Sequence, residues 1–207
     1  METYDTRSQA PFTMQITGGT GSGKTHLIRK IIEAASEMIH PPPERIIYAY
    51  GEWQSIFSEM NGVEFVKGIN EKLVSRENLD NKRTLLVIDD LSDSIDEKLI
   101  GALFIKNVIF LLNNLFYRGL KNMRDIALNT HYYIITRSVR DYSSITTLAK
   151  QMFGKDYKSM MQAYADATKD NFGYLMVDLK PNTKAPLRLR THIFPNENTV
   201  LYVIKNG

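Results

Sequence analysis

Gly18-Gly19-Thr20-Gly21-Ser22-Gly23-Lys24-Thr25 matches the pattern GxxxxGK[ST] in full. It directly follows an apolar run, Phe12 to Thr17, and directly precedes a stretch of helical periodicity, Lys24 to about Met38. A strand before and a helix after is the context in which this pattern folds as a phosphate-binding loop. Its glycines let the backbone curl until the N–H groups face a phosphate, and the helix N-terminus adds a partial positive charge. Lys24 is expected to reach the β- and γ-phosphates, and the Thr25 hydroxyl to ligate Mg²⁺.

Outward from the loop, Leu27, Ile28, Ile31, Ile32 and Ala35 form one apolar stripe on the helix, and Pro41-Pro42-Pro43 stops it. Further strands are predicted at Arg45 to Tyr50, Thr84 to Asp89, Val108 to Leu112 and Tyr132 to Thr136. Helices are predicted at Ser143 to Phe153 and Tyr157 to Thr168, and strands at Tyr174 to Leu179, Leu187 to Phe194 and Val200 to Ile204. Strands alternating with helices imply an α/β fold with a mostly parallel central sheet flanked by helices. The expectation is one P-loop NTPase domain over residues 1–207, of the ASCE or RecA-like division. It has an N-terminal tail to about residue 10 and a small β-rich C-terminal addition over about 172–207.

Thr84-Leu85-Leu86-Val87-Ile88-Asp89-Asp90 is an apolar strand ending in two carboxylates. At such a strand end Asp89 is suited to hold the Mg²⁺ shell and Asp90 to polarise an attacking water. Asp93 and Asp96 read as a solvated acidic turn. Arg45 to Tyr50 supplies the additional strand that the ATPase division carries, whereas a GTPase needs an NKxD motif that is missing downstream. ATP is therefore the expected nucleotide. Asn113 stands at a strand tip, suited to sense phosphate or water by hydrogen bonding; for Asn114, capping a following helix is an equal alternative.

The segment Arg118-Gly119-Leu120-Lys121-Asn122-Met123-Arg124 reads as a basic loop, suited to DNA phosphates or to simple solvation. Arg137 and Arg140 follow a strand where a subunit edge could present one of them to a neighbour's γ-phosphate, or where either could form surface salt bridges. Glu52 is a candidate to orient water; packing explains Tyr48, Tyr50 and Trp53 equally well.

Composition narrows the remaining chemistry. The chain has 207 residues, an apolar fraction of 43%, a charged fraction of 24% and no cysteine. Disulfides, thiolate catalysis and cysteine-ligated zinc are thereby excluded. His26, His40, His131 and His192 have no metal-site spacing. The net charge of +3 permits nucleic-acid contact without arguing for it. No run is long enough for a membrane span, and METYDTRSQAPF lacks the centre of a signal peptide, so neither membrane insertion nor secretion is expected.

With these motifs in place, the chain resembles the virion DNA-packaging ATPases of the poxvirus type, within the FtsK and HerA superfamily. It is especially similar to the versions carried by adintoviruses, virophages and Polinton (Maverick) elements. Besides Gly18 to Thr25, the resemblance rests on Pro41 to Tyr48, Tyr50 to Gln54, Leu86 to Leu91, Asn114-Leu115-Phe116, Met123-Arg124 and Arg140-Asp141. Ala149 to Phe153, Gly173 to Leu175, Asp178 to Pro181, Arg188 to Thr191 and Ile193 to Pro195 extend it across roughly residues 10 to 195.

The resemblance implies a homo-oligomeric ring ATPase that pumps double-stranded DNA into a preformed capsid. ATP would be bound between subunits, with Arg124 or Arg140 donated by a neighbour. It also implies a capsid or portal-vertex protein as partner, and a place in the virion or at an intracellular assembly site. The sequence departs from the family pattern at Asn113-Asn114, where Gln-Asn is usual, and in a shorter connection at Leu103 to Asn107. Two rival readings are a nucleotide-binding scaffold for capsid assembly without turnover and, further off, a small-molecule kinase.

Overall fold

The central strands are apolar on both faces because both faces are covered. The computed structural model describes residues 4–75, 82–91, 94–95, 97–103, 106–115, 121–138 and 140–204. The strands are β1 (Ser8–Gln9), β2 (Thr13–Thr17), β3 (Ile39–His40), β4 (Arg45–Tyr50), β5 (Val63–Lys67), β6 (Thr84–Asp89), β7 (Asn107–Leu112), β8 (Tyr132–Thr136), β9 (Tyr174–Asp178), β10 (Leu189–Thr191) and β11 (Val200–Leu201). The α-helices are α1 (Lys24–Glu33), α2 (Ala35–Met38), α3 (Glu71–Val74), α4 (Glu97–Leu103), α5 (Lys121–Leu128), α6 (Tyr142–Phe153) and α7 (Tyr157–Ala167).

β1 and β3 form a small parallel pair, and a nine-stranded sheet takes the order β11-β10-β9-β8-β2-β7-β6-β4-β5. From β8 to β5 neighbouring strands run parallel; β9, β10 and β11 continue the sheet antiparallel. This is the α/β P-loop NTPase fold. Every residue of β2, β6, β8 and β9 is buried, as expected for strands covered by helices or loops on both faces. The stripe Leu27, Ile28, Ile31 and Ile32 of α1 packs with Met14, Ile16, Ile109 and Leu111 on one face. Leu99 and Leu103 of α4 and Ile126 of α5 pack with Leu86, Ile88, Val108 and Phe110 on the other. α6 and α7 cover β8 and β9 through Ile145, Leu148, Met160 and Tyr164.

Three expectations change. The additional strand between the phosphate-loop strand and the acidic strand is β7, not Arg45 to Tyr50: β4 lies outside β6, while β7 is hydrogen-bonded to both β2 and β6. The chain from Lys121 to Arg124 lies in α5 rather than in a loop; Arg118, Gly119 and Leu120 lie outside the described residues, as do Asp93 and Asp96. The C-terminal strands are shorter than expected but hydrogen-bond into the main sheet, β9 directly against β8. The edge strand β5 escaped the sequence reading, being a short, partly exposed alternation of Val63, Phe65 and Val66 with Glu64 and Lys67.

Candidate nucleotide-binding site

Strand register brings the motifs together. Thr17 of β2 faces Leu112 of β7, and Asp89 of β6 faces Leu111. The loop after β2, the tip of β7 and the carboxylates after β6 therefore emerge side by side at the C-terminal edge, where open parallel sheets place their ligands. A cleft of about 590 Å³ lies there, lined among others by Gly23, Lys24, Thr25, Asp89, Asp90 and Asn113.

The loop is held from both neighbours. Gly18 N–H donates to Leu112 O at 3.3 Å, and Thr136 Oγ1, at the end of β8, donates to Thr17 O at 3.0 Å and lies 2.9 Å from Ser22 Oγ. A Cβ on Gly18 would lie 1.8 Å from Thr136 Oγ1, so this close approach requires glycine. Gly23 adopts the left-handed region at φ 89° and caps α1 with no side-chain hydrogen bond. No side chain competes for the first-turn N–H groups, which suits them to an anionic ligand.

Lys24 folds back into this loop. Its Nζ donates to Gly18 O (2.7 Å), Gly19 O (3.1 Å) and Asn113 Oδ1 (3.0 Å), a full complement for an ammonium group. Burial pushes its pKa down, against the opposing pull of Asp89 and Asp90. Asn113 links the two sides: its Oδ1 accepts from Lys24, and its Nδ2 donates to Asp90 Oδ1 at 3.2 Å. Asp90 sits in the left-handed region at φ 54°, which Asp tolerates better than most residues.

Asp89 is buried, and its pKa is raised first by desolvation and also by Asp90, against lowering by the Tyr48 hydroxyl and Lys24. Tyr48 Oη donates to Asp89 Oδ2 at 2.8 Å. Burial first, then the Asp89 charge, pushes the Tyr48 phenol far up, so it stays protonated and donates to Asp89. Tyr48 thus orients the carboxylate, a role the sequence reading did not assign to it. Gln54 and Ser55 line the cleft; Glu52, a candidate to orient water, is exposed and does not line it.

A second cleft, about 760 Å³, adjoins the first across the loop and is lined by Gly19, Thr20, Gly21, Ser22, Arg137, Ser138, Arg140, Asn171 and Phe172. Arg140 and Arg137 therefore stand beside the loop of their own chain. Arg124 is exposed on α5 and lines neither of these clefts.

The residues present suit a Mg²⁺ ion. Among the described residues no group of three His, Cys, Asp or Glu side chains gathers around a point, but Mg²⁺ bound with phosphates needs only one or two protein oxygens. Asp89, buried and with Lys24 as a counter-charge short of a direct ion pair, offers one beside Thr25 in the same cleft.

No protein-family model and no curated protein matches the sequence. Solved structures share the fold at low identity. The ATPase EscN of the enteropathogenic E. coli type III secretion system is 11% identical with a TM-score of 0.42, over 73% of this chain and 55% of that one. The KaiC-like protein PH0186 of Pyrococcus horikoshii OT3 is 16% identical with a TM-score of 0.42, over 92% and 89%. The pCW3 conjugation coupling protein TcpA, solved with ATPγS, is 15% identical with a TM-score of 0.48, over 86% and 59%. The chain thus spans little more than half the length of EscN and TcpA. Among the described residues no helix is long and apolar enough to cross a membrane.

Proposed function

We propose that this chain is an ATPase whose hydrolytic cycle drives double-stranded DNA into a preformed capsid from a homo-oligomeric ring. The observation that carries hydrolysis is the hydrogen-bonded chain Lys24–Asn113–Asp90 beside buried Asp89. It joins a phosphate-binding cation to a carboxylate able to take a water proton. The DNA and capsid parts rest on the resemblance of the later sequence blocks to packaging ATPases.

In this mechanism the N–H groups of Gly19 to Thr25 cradle the β-phosphate. Lys24 exchanges its bonds to Gly18 O and Gly19 O for phosphate oxygens. Thr25 and Asp89 would hold Mg²⁺, which supplies charge neutralisation on the β- and γ-phosphate oxygens. Asp90 Oδ1 is occupied by Asn113 Nδ2, so its second oxygen is the one to accept a proton from the attacking water. Water oxygen bonds to the γ-phosphorus as the bond to the β,γ-bridging oxygen breaks, leaving ADP and phosphate. Asn113, in contact with both Lys24 and Asp90, passes the loss of the γ-phosphate to the acidic strand. Arg140 acts on its own chain's nucleotide, and Arg124, exposed on α5, is the arginine offered to a neighbour. The ring would work in the virion or at an intracellular assembly site, against a capsid or portal-vertex protein.

The test is steady-state phosphate release with and without linear duplex DNA, at low and moderate salt, with Lys24→Ala as blank. DNA stimulation lost in the variant supports the motor. Turnover that responds only to a small acceptor means a kinase, and ATP binding without turnover in any condition means a scaffold.

A further inference from the structure

Phe172 combines three features that nothing in phosphate binding explains. The residue is 67% exposed. Its backbone lies in the left-handed region at φ 64°, an outlier for a bulky residue and a local cost that surrounding structure must sustain. Its ring stands on the phosphate loop: a Cβ built on Gly23 would lie 2.7 Å from Phe172 Cδ1.

The surroundings do sustain it. Gly173 N–H donates to Asp170 O at 3.1 Å, closing the turn after α7. A Cβ on Gly173 would lie 2.5 Å from Ala167 O, so the turn admits only glycine there. One residue later Tyr174 pairs with Thr136, the residue that holds the phosphate loop through Thr17 and Ser22. The backbone that carries the ring is thus joined to the loop through the pairing of β8 with β9.

Phe172, Thr20 and Gly21 are the residues that border both clefts. The cleft with Lys24 and Thr25 takes phosphates. A nucleotide whose phosphates lie there has its nucleoside near this shared border, where the second cleft offers Arg137, Ser138, Arg140 and Asn171. A flat apolar ring at the border, surrounded by polar side chains, matches a flat base with polar edges and a ribose with hydroxyls.

We propose that Phe172 is the platform on which the base of the bound nucleotide stacks, with Asn171 and the Arg137–Arg140 segment serving its polar edge and ribose. This rests on the nucleotide-binding reading of the loop and adds what binds beyond the phosphates.

The experiment is calorimetric titration of the full chain with Mg-ATP and, separately, with Mg-tripolyphosphate, which has the phosphates but no base. For Phe172→Ala the expected result is roughly 5- to 150-fold weaker Mg-ATP binding, the range of one base–aromatic stack, with tripolyphosphate affinity unchanged. Phe172→Tyr should bind both like wild type. Equal weakening of both ligands, no weakening, or tighter ATP binding in Phe172→Ala would overturn the proposal. Lys24→Ala separates the two levels: if ATP binding survives that change, the loop reading itself fails.

Should Phe172→Ala not fold, Phe172→Trp in a Trp53→Phe background, which removes the sole natural tryptophan, gives an independent readout. Its fluorescence should change with ATP and not with tripolyphosphate; identical responses would count against stacking.

Discussion

Replacing Gly18 by alanine tests whether the phosphate loop is shaped by the neighbouring strand. The new methyl would lie 1.8 Å from Thr136 Oγ1, 2.8 Å from Ser22 Oγ and 3.2 Å from Thr136 Cβ. Thr136 must then rotate away and lose its contacts with Thr17 O and Ser22 Oγ, at about 1 kcal/mol each. The residual crowding adds about 1–3 kcal/mol, for a total loss of about 3–5 kcal/mol. For a chain of this size that is a fall in melting temperature of roughly 6–20 °C, measured by circular dichroism without nucleotide. The double variant Gly18→Ala/Thr136→Ala removes the obstructing oxygen, and should be no less stable than Gly18→Ala alone. Simple addition of the two single losses, or a shift below about 2 °C in Gly18→Ala, would refute the reasoning.

Asn113→Ala removes the link between Lys24 and Asp90; ATP affinity should change little while turnover falls roughly 10- to 150-fold, the value of one charge-assisted hydrogen bond. Equal loss of affinity and turnover would make Asn113 a binding residue only. His131 Nδ1 accepts from Thr13 N–H at 3.0 Å, and burial first, then Lys180, lowers its pKa from 6.5. The unfolded chain thus takes up the proton more readily, so stability should be complete above 6.5 and fall as the pH drops through it toward the lower folded value. His131→Asn keeps an acceptor without titrating and should flatten that part of the profile in pH-dependent thermal melts; parallel profiles would argue against it. Arg190, 2% exposed, pairs with Asp178 at 3.3 Å, and Arg190→Met should cost about 3–5 kcal/mol by leaving a buried carboxylate short of its counter-charge. Chemical denaturation showing no loss would mean that the Lys180 N–H and Thr183 hydroxyl on Asp178 suffice.

The parts legible in the sequence are those where a local pattern has one physical solution. The glycine loop between a strand and a helix, and the apolar run ending in Asp89-Asp90, announce themselves because each needs only its own neighbours in the chain. Strand β8 was equally clear, its five residues all buried and bounded by polar turns. What sequence could not supply was order in space. That Asn107 to Leu112 lies between β2 and β6 is a matter of long-range pairing, and it is this placement that lets Asn113 touch both Lys24 and Asp90. Tyr48 reads as a core aromatic, and its hydroxyl becomes meaningful only when β4 packs beside β6. The segment Lys121 to Arg124 carries a loop-like pattern because its charges dominate its short apolar pattern, while Met123 and Ile126 carry too little periodicity to announce a helix. Phe172 left one signal, a lone aromatic in the polar stretch Lys169-Asp170-Asn171 before Gly173.

Single-turnover ATP cleavage in Asp90→Asn, set beside Mg-ATP binding in the same variant and in Lys24→Ala, bears most directly on the site as a hydrolytic one. The account predicts that Lys24→Ala loses binding, and that Asp90→Asn binds Mg-ATP like wild type but fails to cleave it. Normal cleavage by Asp90→Asn, or unimpaired binding by Lys24→Ala, would contradict it.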